Sequence, residues 1–418
     1  MKRIRGLLIG TSVVAVLLVL GVGVSLLERV AEAQSQGTPQ APRFEVDPFW
    51  PKPLPNHWVL GNAIGVGIDG QDNVWIVHRS SATLHNNEKA LELGTGECCA
   101  GAPPVLAFDR EGNLIHHWGG PGPGYDWPAS NHGIFIDHEG NVWIGGNGAG
   151  DSHIVKFTAD GKFLAQYGRP NARRAAPNAQ QTTQTVPGYE PTVGYVGGST
   201  DRENFGRVAK IFVDPRGNEA FIADGYLNKR VAVLDARTGE MKRFWGAYGN
   251  VPSDADLGPY DPDAPPAQQF RNPVHCADLS SDGFLYVCDR VNDRIQVFRP
   301  DGTFVKETFF ARRTKASGSV WDVAFSRDPS QRFLYVSDGI NNRVYIVQRD
   351  TMEILTSFGD GGRQIGQFYG VHSIASDSQG NLYTTETWEG KRVQKFVYKG
   401  LASVTSEHQR TVWPSATP

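Results

Sequence analysis

The sequence predicts an all-β fold, a six-bladed β-propeller, and three observations predict it. A unit of four short apolar or aromatic segments recurs six times along the chain. Within each unit the hairpins alternate apolar and polar residues and turn on Gly, Asn or Asp. No helical periodicity separates the units, so they read as blades around an axis and not as a solenoid. Composition agrees, with 48 Gly and 26 Pro for turns and 10 Trp, 13 Tyr and 21 Phe for a core, in 418 residues. Closed all-β folds run long, so one domain accommodates that length.

Taken in order, the chain opens with Lys2, Arg3 and Arg5 before an apolar run from Gly6 to Leu27, followed by Ala31-Glu32-Ala33. Residues 1–33 therefore read as a signal peptide or an uncleaved N-terminal membrane anchor, and either way the remainder is exported, to a periplasm or the exterior. Residues 34–43 are polar and contain Pro and Gln, and are expected to be an unstructured linker. The propeller follows over 44–400, with 401–418 as a C-terminal tail. Its first hairpins run Ile64 to Arg79, His132 to Asn147, Ala209 to Tyr226, His275 to Arg290, Trp321 to Gly339 and His372 to Thr387. Five repeats carry a fourth strand, as in KFLAQYG and MKRFWG, whereas the sixth stops at Gly400. The segment Phe44 to Gly61 ends His57-Trp58-Val59-Leu60-Gly61, like those fourth strands. It is expected to complete blade six and close the ring, which removes an exposed edge.

Export makes the four cysteines available for disulfides. Cys276 and Cys288 flank a turn almost symmetrically and could face each other across one hairpin. Adjacent Cys98 and Cys99 leave a vicinal disulfide, a thiol metal site and two loop thiols open. His85 to Pro104, Pro170 to Gly206 and Ala247 to Arg271 break the period and read as long surface loops. The last two emerge at one mouth of the channel, where Tyr189, Tyr195 and Tyr248 could wall a pocket. A net charge of −3 gives no reason to expect nucleic acid or an anionic membrane as partner. Membrane contact is expected only through the N-terminal segment, and the chain is expected to act as a monomer.

The residues opening each innermost strand are Ile64, His132, Ala209, His275, Trp321 and His372. Alternate blades of a six-fold ring are related by about a third of a turn, so the three histidines converge near the axis. Three imidazoles with a fourth position open form the arrangement a catalytic metal needs. One such histidine would more simply cap a strand or fill the channel; the alternating trio favours metal. His57, His78, His85, His116, His117, His138, His153 and His408 show no such relation and read as surface or packing residues. The second strands run antiparallel and finish at the same mouth, where they bring Arg79, Arg290 and, just after Gly225, Tyr226. Arginine offers a fork for carboxylate, and a tyrosine beside a cation can serve as a base.

These residues resemble those of the peptidyl-α-hydroxyglycine α-amidating lyases, NHL-repeat propellers, across nearly all of Phe44 to Gly400. The carrying motifs are His132-Gly133-Ile134-Phe135-Ile136-Asp137, His275 with Asp289-Arg290, His372 opening the last blade, Asp224-Gly225-Tyr226-Leu227-Asn228-Lys229-Arg230, and Val77-His78-Arg79. The resemblance implies zinc held by His132, His275 and His372, with Tyr226, Arg79 and Arg290 as catalytic residues. It implies a substrate, small molecule or peptide, bearing a carboxylate, and cleavage of a carbinolamide to an amide and glyoxylate. It does not carry the family's calcium, because Ser373 stands where the family has an aspartate after the third histidine. Two rivals share the fold: zinc-dependent hydrolysis or other lyase chemistry at the same residues, and a non-catalytic binding propeller.

Overall fold

The computed structural model describes residues 39–172 and 198–414. Six four-stranded antiparallel sheets stand around one channel, each with its first strand innermost. Those inner strands are Ala63–Ile68, Asn131–Ile136, Val208–Asp214, Val274–Leu279, Asp322–Phe325 and Val371–Ser376. Asp and Asn in the first turns explain why the hairpins form where they do. In blade two, Asp137 accepts the Asn141 amide at 2.8 Å and the Trp143 indole N–H at 2.8 Å, tying the turn to the strand that follows. Asp69 repeats the device with Asn73 and Trp75 in blade one.

Between blades the apolar faces interlock. Phe221, Val231 and Trp245 of blade three pack with Val274, Leu285 and Phe298 of blade four in one buried cluster. Each such side chain contributes about 1.5–3 kcal/mol by leaving water. Cys276 and Cys288 lie opposite each other and are disulfide-bonded, and Cys98 and Cys99 form a vicinal disulfide. Both bonds suit an oxidising compartment.

An N-terminal strand completes the sixth sheet, but from a different stretch than the sequence pointed to. The outermost strand of the sixth sheet is Gln40–Val46, paired with Arg392–Ser403, and not the His57–Gly61 stretch. Trp58–Val59 instead pairs in parallel with Ala100–Gly101 in a two-stranded ribbon. Residues 40–43 of the expected linker therefore open this strand, in which Ala41, Phe44 and Val46 are buried against blades five and six. Pro42 sits at a register shift of that outermost strand, where its missing N–H removes no interior ladder bond. The tail also packs, since Val412 accepts from the Val46 amide and Glu407 from the Ser357 amide. The signal-peptide or anchor segment and Tyr189 and Tyr195 lie outside the described residues.

Candidate metal centre and its rim

The repeat places a β-bulge where the chemistry is. In five of the six inner strands the pairing register shifts at the aligned position: Ile64, His132-Gly133, Ala209, His275 and His372. A bulge holds one residue out of the ladder and re-aims its side chain. Three of these residues send imidazoles toward the axis. The ring centroids of His132, His275 and His372 are 4.8–5.1 Å apart, and one ligand nitrogen from each lies within 4.8 Å of the others.

The intervening blades supply the orientation. His132 Nδ1 contacts the Ala209 carbonyl at 2.7 Å, His372 Nδ1 the Ile64 carbonyl at 2.7 Å, and His275 Nδ1 the Trp321 carbonyl. A carbonyl only accepts, so each Nδ1 carries the proton and each Nε2 presents a bare lone pair. Burial, foremost, holds all three imidazoles well below their ordinary range. After burial, His372 and Arg79 weigh on His132, while Arg290 weighs on both His275 and His372. The rings are thus neutral, as a metal ligand must be.

Tyr226 meets this trio directly. Its hydroxyl lies 2.9 Å from His132 Nε2 and 3.1 Å from His275 Nε2, and accepts from Arg290 Nη1 at 3.2 Å. Gly225 makes the approach feasible, because a Cβ there would lie 2.0 Å from the Val274 carbonyl oxygen. The loop is held from behind by a network whose members Asp224, Asn228 and Arg230 are fully buried. Asp224 accepts from Asn228 and from Arg230 Nε, both at 2.8 Å, and Asn272 donates to the Gly225 carbonyl at 2.7 Å. Blade four repeats the device, with Asp289 accepting from Asn292 at 2.7 Å and Arg294 at 2.8 Å just behind Arg290. Arg290 stacks over Trp321, 4.5 Å from the ring centroid. Arg79 donates to Asn147 at 2.9 Å from the opposite side.

The six site residues read from sequence therefore share one end of the channel. His78 is a packing residue: buried, it accepts the Gly61 and Ser80 amides at 3.1 Å, and burial pushes it down to about 4. Tyr248 does not reach the site; its hydroxyl bonds Glu307 and Arg294. Two features were missed. The carbonyl partners belong to the backbone, and their only signal was the aligned position itself. Trp388, edge-on to Trp321 at 5.5 Å and packed over Gly370, adds an aromatic wall that no motif announced.

Two Nε2 lone pairs, of His132 and His275, meet one hydroxyl that has a single proton to give, and the third imidazole, His372, stands within 4.8 Å of both. A cation among the imidazoles resolves that mismatch, so the donor set fits a three-histidine metal site.

No family model matches the sequence. The chain is 24% identical over 304 residues to peptidyl-glycine alpha-amidating monooxygenase A of Xenopus laevis, covering 67% of this chain and 26% of that protein. It therefore spans about a quarter of that relative. It is also 24% identical over 285 residues to NHL repeat-containing protein 3 of Mus musculus, covering 66% of this chain and 62% of that one. A catalytically inactive virginiamycin B lyase from Staphylococcus aureus superposes with a TM-score of 0.45 at 16% identity, over 85% of this chain and 88% of that one. The chain is thus a six-bladed β-propeller whose sequence is similar to part of the amidating monooxygenases and to an NHL repeat-containing protein.

Proposed function

We propose that the chain is a zinc-dependent carbon–nitrogen lyase that cleaves a carbinolamide bearing a carboxylate into an amide and glyoxylate. The supporting observation is the convergence of three bare imidazole nitrogens, one tyrosine hydroxyl and two arginines at one buried point. His132, His275 and His372 hold the zinc, which supplies Lewis acidity toward the substrate hydroxyl. Arg79 and Arg290 flank Tyr226 and take the substrate carboxylate, fixing the carbinol carbon against the tyrosine oxygen. Tyr226, its oxygen held by Arg290, serves as the base that takes the hydroxyl proton. The C–O bond becomes C=O, the C–N bond breaks, and its electron pair passes to the amide nitrogen. Tyr226 returns the proton to that nitrogen, so the enzyme ends as it began. Trp388 and Trp321 wall the mouth and exclude water from the developing charge.

Loss of a positioned base slows such steps by about 10²–10⁴-fold. Tyr226→Phe is therefore expected to reduce turnover of an α-hydroxyglycine amide by at least about 100-fold with bound zinc unchanged. Arg79→Ala is expected to raise KM for the carboxylate substrate but not for its methyl ester. Unchanged kinetics in both variants contradict the assigned roles. Release of an acid from an ester or lactone panel, with no glyoxylate from the carbinolamide, would favour hydrolysis at the same residues.

A further inference from the structure

The channel has a second half, and it is built differently. Below the histidines, the far ends of all six inner strands enclose a cavity of about 390 Å³ that opens at the opposite mouth. That volume falls in the range of small-molecule sites, about 300–1,000 Å³. Its wall is mixed: Val66, Ile134, Phe212, Val323 and Ile374 supply apolar surface, and Lys210, Asp278, Arg216 and Arg327 supply charge. His132, His275, His372, Asp322 and Ser373 separate the two halves around a void of only about 10 Å³. That is room for one water at most, so nothing in the far half reaches the imidazole nitrogens.

At the inner end of this cavity stands an unbalanced charge cluster. Lys210 bonds both Asp278, at 2.9 Å, and Asp322. Asp322 is saturated: Ser373 and the amides of Val323 and Ile374 complete its acceptors. Asp278 is not. It is 8% exposed and lines the cavity, and no donor among the described residues reaches its buried Oδ2. With both carboxylates ionised, one ammonium faces two negative charges in a low-dielectric wall, which is costly unless a proton or a second cation joins them. Burial pushes the Asp278 carboxyl up to about 7, although Lys210 pulls it down. A metal ion is not the missing partner, since Lys210 already sits between the carboxylates and the neighbouring Cys276 sulfur is tied to Cys288. The rim arginines are engaged elsewhere, Arg216 with Asp214 and the Ser281 carbonyl, and Arg327 with the Ser376 carbonyl.

We propose that this far half of the channel is a second binding site, for a small apolar amine whose ammonium pairs with the Asp278 carboxylate while its hydrocarbon part fills the cavity. The site is separate from the metal centre and does not depend on the chemistry proposed there. The ligand's charge is set by Lys210, Asp278 and Asp322, and its size and apolarity by the strand ends around them.

The test is calorimetric titration of the purified full chain with phenethylamine at neutral pH, with phenethyl alcohol as the uncharged counterpart of similar shape. Saturable one-to-one binding of the amine is expected, with the alcohol about tenfold weaker because it lacks the charge-assisted bond. Asp278→Asn keeps the shape and removes the charge, and is expected to weaken the amine about tenfold. Because that change also touches Lys210, Ala375→Phe is tested beside it. This substitution fills the cavity from a wall residue outside the ion cluster, and it is expected to abolish binding. Absence of saturable binding at millimolar amine, equal binding of amine and alcohol, or unchanged affinity in Ala375→Phe would each overturn the proposal.

Discussion

Blades two, four and six differ from blades one, three and five at one aligned position, and the difference separates side-chain from backbone work. In the even blades that position is histidine, and its side chain faces the axis. In the odd blades it is Ile64, Ala209 or Trp321, and what matters there is the carbonyl, which receives the Nδ1 proton of a neighbouring blade's histidine. One aligned backbone position thus serves as ligand platform in three blades and as ligand orienter in the other three. At Ile64 and Ala209 the contribution is a peptide oxygen, which many side chains can accompany, whereas Trp321 adds its ring beneath Arg290.

Three substitutions sharpen this contrast, in falling order of effect. His372→Ala removes a ligand from an even blade and is expected to weaken zinc by more than the roughly 100-fold typical of an outer partner, read by chelator competition. Gly133→Ala acts on an odd-blade carbonyl, because its Cβ would lie 2.6 Å from the Ala209 oxygen that orients His132. That variant is expected to lose zinc affinity about 10- to 100-fold while its thermal unfolding stays cooperative. Ile64→Val alters only an odd-blade side chain. It is expected to leave zinc affinity within about twofold and to cost about 0.5–1.5 kcal/mol of stability by denaturant unfolding. Equal losses of zinc in Ile64→Val and His372→Ala would erase the distinction between the two sets of blades.

The same division explains what could be read from the sequence. The histidine trio, Arg79, Arg290 and Tyr226 were legible because they are side chains at fixed offsets in a repeat, and antiparallel pairing sends both offsets to one mouth. The carbonyl partners and the bulges were not, since any residue type supplies a carbonyl. Closure was misassigned for a related reason. His57-Trp58-Val59-Leu60-Gly61 resembles the other fourth strands in residue type, whereas Gln40–Val46, an outermost strand with Gln, Pro and Arg, looks like a linker until its partner is known. The Lys210–Asp278–Asp322 cluster was overlooked because its members do not share a repeat position. Lys210 and Asp322 stand one residue beyond the aligned site and Asp278 three beyond, and only the closed ring brings them together.

Metal content tests the central claim most directly. About one zinc per chain is expected in the purified protein, and little or none in a His275→Ala variant that retains the wild-type far-ultraviolet circular dichroism. A folded wild-type chain that neither carries zinc nor takes it up on addition would contradict the three-histidine centre, and with it the proposed lyase chemistry.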